Sequence, residues 1–222
     1  QYRNVRLTVI GSSPAWPNAG GAHSGYLVSS NGKRLLLDCG PGVLGRLRER
    51  EQWPLLEAIA ITHFHLDNWG DLVPWVWGSF YRRGHGDLRP ELWVYRGGRA
   101  FLEELGSRPG FPDMFERTFV LREYDAETRF STVAGPDVVP RRLPHYRLET
   151  YGFRVTNGET TLAYTGDTGP SDRIAELARD ADLLVCEATL EHGDADGEPR
   201  GHLSADEALE VYAASGARRL LL

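Results

Sequence analysis

Only two cysteines, Cys39 and Cys186, occur in 222 residues, so no disulfide framework is expected and a reduced, cytoplasmic setting is the default. No apolar run approaches the roughly 20 residues that span a bilayer, and no charged-then-apolar leader precedes the first strand-like segment. Lysine is almost absent, Lys33 being the single one, and the net charge is −6. No global field therefore draws the chain to nucleic acid or an anionic membrane, although its arginines leave a local basic patch open. Hydrophobic content of 41% and charged content of 25% are those of a globular protein with a sizeable core. Repeats, low-complexity tracts and linkers are lacking as well. One domain over residues 1–222 is the expectation.

What is present alternates between strand and helix signals. Strands are expected at 5–10, 25–29 and 34–39, the last two joined by Asn31-Gly32, a strong hairpin signal. A helix follows at 41–50, then a short apolar strand at 58–62, an aromatic-rich helix at 71–82, a strand at 91–95 and a helix at 99–105 ended by Gly106. Residues 111–134 give no clear pattern. Strands at 138–143, 151–156 and 161–165 follow, with a turn at Asn157-Gly158. Ser171 and Ser204 are expected to cap helices reaching Asp180 and Ser215, on either side of a strand at 183–186. Arg219 to Leu222 reads as the middle of a buried strand, so the chain is expected to continue beyond it. Strand runs at both ends, each followed by helices, suggest two packed sheets with helices outside.

Chemistry concentrates in Thr62-His63-Phe64-His65-Leu66-Asp67. Residues two apart in an extended segment share a face, so His63 and His65 project together, and Asp67 follows where the chain must turn at Asn68-Trp69-Gly70. Two imidazoles and a carboxylate suit zinc or a similar transition metal. The competing reading is two surface histidines beside a helix-capping aspartate. His145 and Asp167, each at the end of another strand-like run, supply the partners that reading lacks.

Taken together, Leu37-Asp38-Cys39-Gly40, Thr62 to Asp67, His145, Gly166-Asp167-Thr168, Cys186-Glu187-Ala188-Thr189 and Gly201-His202-Leu203-Ser204 resemble the metallo-β-lactamase fold superfamily on its ribonuclease Z-like side. The resemblance spans nearly the whole chain. It implies an α/β fold, a four-layer αββα sandwich of two mixed sheets with helices outside. It also implies that His63, His65 and His145 bind a first metal, Asp67 a second, and that Asp167 bridges them. Glu187 and His202 match a pair that assists proton transfer to the leaving group, and Asp38 matches an acid that orients a ligand histidine. One or two Zn2+ ions are implied, with Mn2+ as a substitute. Such a centre polarises a phosphoryl or carbonyl oxygen and makes water nucleophilic near neutral pH.

Two departures bear on the second metal. The family usually has a histidine where this chain has Asn68, and an amide is a poorer zinc donor than imidazole. The family's last histidine ligand would fall after Leu222. One metal per chain, or none, is the expectation, and catalytic impairment is one of the readings left open.

The substrate expected from the resemblance is a small phosphodiester, the overall look being nearest to small cyclic-nucleotide phosphodiesterases. Only 167 − 145 = 22 positions separate His145 from Asp167, too few for the tRNA-gripping insertion of ribonuclease Z, so processing of a large RNA is disfavoured. Lactone or thioester hydrolysis by the same centre and a non-catalytic binding role are the alternatives. No membrane partner is expected, and self-association is open. Weaker candidates are the aromatic run Trp69, Trp75, Trp77, Phe80 and Tyr81, read mainly as core; His23, read as structural; Ser12 and Ser13, whose amides could meet a phosphate; and His85 and His192, read as solvated.

Overall fold

A computed structural model describes residues 5–81 and 89–222. The expected helix end at Arg82, and His85, lie outside the described residues. The chain divides into two compact units, one running to Tyr124 together with Thr132–Gly135, the other comprising Asp125–Ser131 and Pro136–Leu222.

The first unit is a six-stranded mixed sheet in simple sequence order. It holds β1 (Arg6–Gly11), β2 (Gly25–Ser30), β3 (Lys33–Leu37), β4 (Ala58–Ala60), β5 (Glu91–Tyr95) and β6 (Val120–Tyr124). β1, β2 and β3 pair antiparallel; β3 to β6 are parallel. The hairpin at Asn31-Gly32 has both residues at positive φ, 52° and 77°, as a primed two-residue turn requires. Leu35, Leu36, Leu37, Ala58, Ile59 and Ala60 are all fully buried, which is why these strands read as continuous apolar runs rather than alternating ones.

Its helices are α1 (Val43–Arg48), α2 (Leu66–Trp69), α3 (Leu72–Tyr81), α4 (Gly98–Ser107) and α5 (Met114–Thr118). Val43 and Leu47 of α1, Leu72 and Trp75 of α3, and Leu102 of α4 close one core with Ile59 and Leu92 of the sheet. Each such side chain contributes about 1.5–3 kcal/mol by burial. Trp69 and Trp75 are core residues, while Tyr81 is largely exposed. Two expectations are corrected. The turn at Asn68-Trp69-Gly70 is instead the helical turn α2. Gly106 does not end α4 but sits inside it, because a Cβ there would come within 2.4 Å of the Phe111 carbonyl oxygen.

The second unit is another six-stranded mixed sheet: β7 (Phe130–Ser131), β8 (Asp137–His145), β9 (Leu148–Thr156), β10 (Thr161–Tyr164), β11 (Leu183–Val185) and β12 (Leu220–Leu221), in the order β12-β11-β10-β9-β8-β7. β7 pairs only with Asp137 and Val138, so Pro140 and Pro144 of β8 lie where that strand has no β7 partner to receive a donor. β8 and β9 form a nine-residue ladder closed by the two-residue turn Tyr146-Arg147. α6 (Asp172–Leu177) and α7 (Ala205–Ser215) supply Ile174, Leu177 and Ala208 to a core with Leu143, Ala163 and Leu184.

Both caps are where the sequence puts them. Ser171 accepts from the Arg173 amide, and Ser204 with Glu207 makes a full capping box; Gly216, at φ 71°, ends α7. α6 stops three residues before the expected Asp180. β12 pairs parallel with β11, and its two leucines are half-buried.

Among the described residues no helix is long and apolar enough to cross a membrane. Cys39 and Cys186 are buried and unbridged.

Candidate metal centre and proton-transfer pair

In the first unit, β4 delivers its C-terminal end directly to the histidine motif. Ile61 continues the ladder by donating to the Trp93 carbonyl at 2.9 Å, and the chain stays extended until it enters α2. His63 is fully buried and His65 partly so; their rings lie 4.8 Å apart at 71°, each offering a ligand atom within 4.8 Å of the other. Phe64, between them, makes ring contacts with Tyr95 at 5.2 Å and Phe101 at 4.5 Å, and its carbonyl accepts from the Trp69 indole. Aromatic packing thus anchors the segment that carries both imidazoles.

Asp38 follows β3 with φ 58°, a left-handed conformation that aspartate tolerates better than most residues. Its buried carboxylate accepts the Thr62 amide at 2.8 Å and the Thr62 hydroxyl at 2.9 Å. That hydroxyl stands 3.0 Å from His63 Nδ1. With its proton given to Asp38, Thr62 Oγ1 accepts from Nδ1–H, so the lone pair for a metal falls on Nε2. Asp38 therefore bears on His63 through Thr62, a residue to which sequence reading gave no role.

Asp67 lies in the first turn of α2, and among the described residues no cluster of three or more metal-ligating groups includes it. Asn68 is fully buried, and its carbonyl accepts from the Cys39 amide at 2.7 Å. The amide of Ser13 is committed to the Ala22 carbonyl, which removes it as a phosphate donor; Ser12 is exposed. His23 is 8% exposed, its amide bound to the Pro41 carbonyl, and His192 is exposed.

In the second unit, His145 is the last residue of β8 and fully buried. Its Nδ1 lies 2.6 Å from the Gly201 carbonyl, which fixes Nδ1 as the protonated nitrogen, and its Nε2 is 4.0 Å from Asp167 Oδ2. Asp167 follows β10 and shares a cluster with Glu187 and His202, all three offering ligand atoms within 4.8 Å of one another. Glu187 accepts from His202 Nδ1 at 3.0 Å, from the Thr168 amide at 2.5 Å and from the Leu203 amide at 3.2 Å. Burial works against protonation of His202. The Glu187 hydrogen bond and charge, reinforced by Asp167 and Asp196, outweigh it and hold the imidazole's pKa above its ordinary 6.5. The rings of His145 and His202 are 4.9 Å apart.

A loop residue organises this cluster. Asp196 Oδ2 accepts from the amides of Gly201 and His202, at 2.7 and 3.0 Å, and Oδ1 from the Tyr146 hydroxyl at 3.1 Å. Neither Asp196 nor Tyr146 carried a sequence signal.

The profile described as "Beta-lactamase superfamily domain" matches residues 33–222. "Probable metallo-hydrolase YhfI" of Bacillus subtilis is 31% identical over 98% of this chain and 86% of its own length. The crystal structure of YhfI superposes with a TM-score of 0.84 at 26% identity, over 98% of this chain and 84% of that one. "Ribonuclease Z" of Haloferax volcanii is 27% identical over 99% of this chain and 84% of its own. Human tRNase Z, short form, shares the fold with a TM-score of 0.75 at 24% identity, over 96% of this chain and 90% of that one.

Proposed function

Since the chain belongs to the metallo-β-lactamase superfamily, we propose that it is a metal-dependent phosphodiesterase for a small phosphodiester such as a cyclic nucleotide. His63, His65, His145 and Asp167 would hold the principal ion, zinc or manganese, with Asp67 and Asp167 the carboxylates toward any second one. The donor set suits such an ion: the Thr62 hydroxyl and the Gly201 carbonyl engage Nδ1 of His63 and His145, which leaves Nε2 as the donor of each. Bound there, the metal supplies Lewis acidity and a water that loses a proton near neutral pH.

The chain's own groups handle the leaving oxygen. Glu187 is held by the amides of Thr168, Thr189 and Leu203 and takes His202 Nδ1–H, so Nε2 is the atom that passes a proton. Against the cost of burial, the Glu187 hydrogen bond raises the His202 pKa above its ordinary value, which favours the charged imidazole that can give a proton to a leaving alkoxide. The Glu187–His202 bond, in one cluster with Asp167, is the observation that carries this reading. Substrate size follows from the short stretch between His145 and Asp167, which the turn Tyr146-Arg147, β9, a four-residue loop, β10 and Thr165-Gly166 fill, and from the net charge of −6.

The test is to load the protein with zinc or manganese and assay cyclic nucleotides, bis(p-nitrophenyl) phosphate and a lactone panel, with a chelator control. Metal-dependent turnover of phosphodiesters is expected. Lactones turned over faster than any phosphodiester would transfer the assignment to carbonyl chemistry.

A further inference from the structure

Tyr146 occupies a backbone position its residue type does not favour. It is the first of two residues turning β8 into β9, with φ +49°, in the left-handed region that bulky side chains rarely adopt. It is nonetheless fixed on several sides. Its amide donates to the Arg200 carbonyl at 3.2 Å and its hydroxyl to Asp196. The ring packs directly on Gly201, where an added Cβ would lie 2.3 Å from a ring carbon. Glycine at 201 is thus required by the tyrosine.

The ring sits against His145 and His202, with centroids 4.9 Å and 5.6 Å away. Yet Tyr146 is 39% exposed, so it does not serve to seal a core. Asp196 ties the Tyr146 hydroxyl and the His202 amide to one carboxylate, which keeps the ring and the proton donor in register. A tyrosine left 39% exposed in a strained turn, beside the histidine assigned to the leaving oxygen, suits contact with substrate.

We propose that the ring of Tyr146 is a stacking surface for a planar group on the leaving-group side of the substrate, an aryl or heterocyclic ring such as a nucleobase, with Asp196 as its positioning residue. The leaving-group side rests on the phosphodiesterase reading; the stacking surface does not.

Calorimetric titration of the zinc-loaded protein with phenylphosphonate and with methylphosphonate separates the two. The protein should bind the phenyl compound about tenfold more tightly, the scale of aromatic stacking. Tyr146→Phe should keep that preference, and Tyr146→Ala should lose it while methylphosphonate affinity stays within about twofold. Asp196→Ala should weaken the preference through a loosened ring. No preference in the parent protein, a preference that survives Tyr146→Ala, or equal weakening of both ligands overturns the proposal. A phenyl preference without hydrolysis of any phosphodiester would instead remove the phosphodiesterase reading and leave the stacking surface standing.

Discussion

The Thr62 hydroxyl lies 3.0 Å from His63 Nδ1, and that contact makes Thr62 the intermediary between a buried aspartate and a candidate metal ligand. Thr62→Val keeps the shape and removes the hydroxyl's bonds to Asp38 and His63. Groups that orient a ligand histidine are typically worth about 10–100-fold in metal affinity. Zinc affinity, measured by competition with a chromophoric chelator, should fall by that order in Thr62→Val, with about 1–3 kcal/mol of stability lost along with the hydroxyl's bonds. Thr62→Ser should recover most of both. Unchanged zinc affinity in Thr62→Val would remove Thr62 from the site.

His202 and Glu187 share a cluster with Asp167, so a metal-binding role competes with the proton-transfer role. The two roles separate cleanly. His202→Ala should lower kcat by about 10²–10⁴, the usual contribution of a positioned acid or base, while elemental analysis gives the same metal content as the parent. Loss of metal in that variant would make His202 a ligand.

Metal stoichiometry follows from the motif's second half. Asp67 joins no ligand cluster among the described residues, and Asn68 is a buried amide in α2. With imidazoles and Asp167 assigned to one ion, a second would face the first cation's charge with few donors to offset it. Elemental analysis should find one metal per chain. Asn68→His should raise the ratio toward two and increase turnover, provided its melting temperature stays near the parent's. Two tightly held ions in the unaltered chain would show that Asn68 is no impediment.

How much could be read in advance depended on whether the signal was local. His63 and His65 share a face because alternation in an extended segment is a two-residue rule, and Ser204 with Glu207 announces α7 three residues apart. The turn at Tyr146-Arg147 has no glycine or asparagine to announce it; contacts to Asp196, Arg200 and Gly201, fifty or more residues on, hold it instead. Asp38, Thr62 and His63 illustrate both cases: the resemblance implied an acid that orients a ligand histidine, while the Thr62 hydroxyl standing between Asp38 and His63 carried no sequence signal. Gly106 misled because its role is close approach to Phe111 rather than helix termination.

The loop that carries His202 is fastened by a second ion pair whose charge can be titrated separately. Arg200 reaches both oxygens of Glu207, at 2.6 and 2.8 Å, and also the His202 carbonyl at 3.1 Å. The guanidinium hydrogen bond, helped by the Ser204 amide and hydroxyl, lowers the Glu207 carboxyl from its ordinary 4.5 to about 2. A depressed carboxylate pKa gives stability that is complete above the unfolded value and is lost as pH falls through that value toward the folded one. The relevant window is therefore below pH 4.5 and extends to about 2. Glu207→Gln can keep the capping-box bond to the Ser204 amide but has no charge to offer Arg200. On metal-stripped protein, so that ligand protonation does not enter, the variant should melt below the parent at about pH 7, and the gap should narrow as pH is lowered to about 3. Raising salt at neutral pH should narrow it too, because the pair is partly exposed. A melting gap that is the same at both pH values would mean that the cap, not the Arg200–Glu207 charge pair, is what holds this loop.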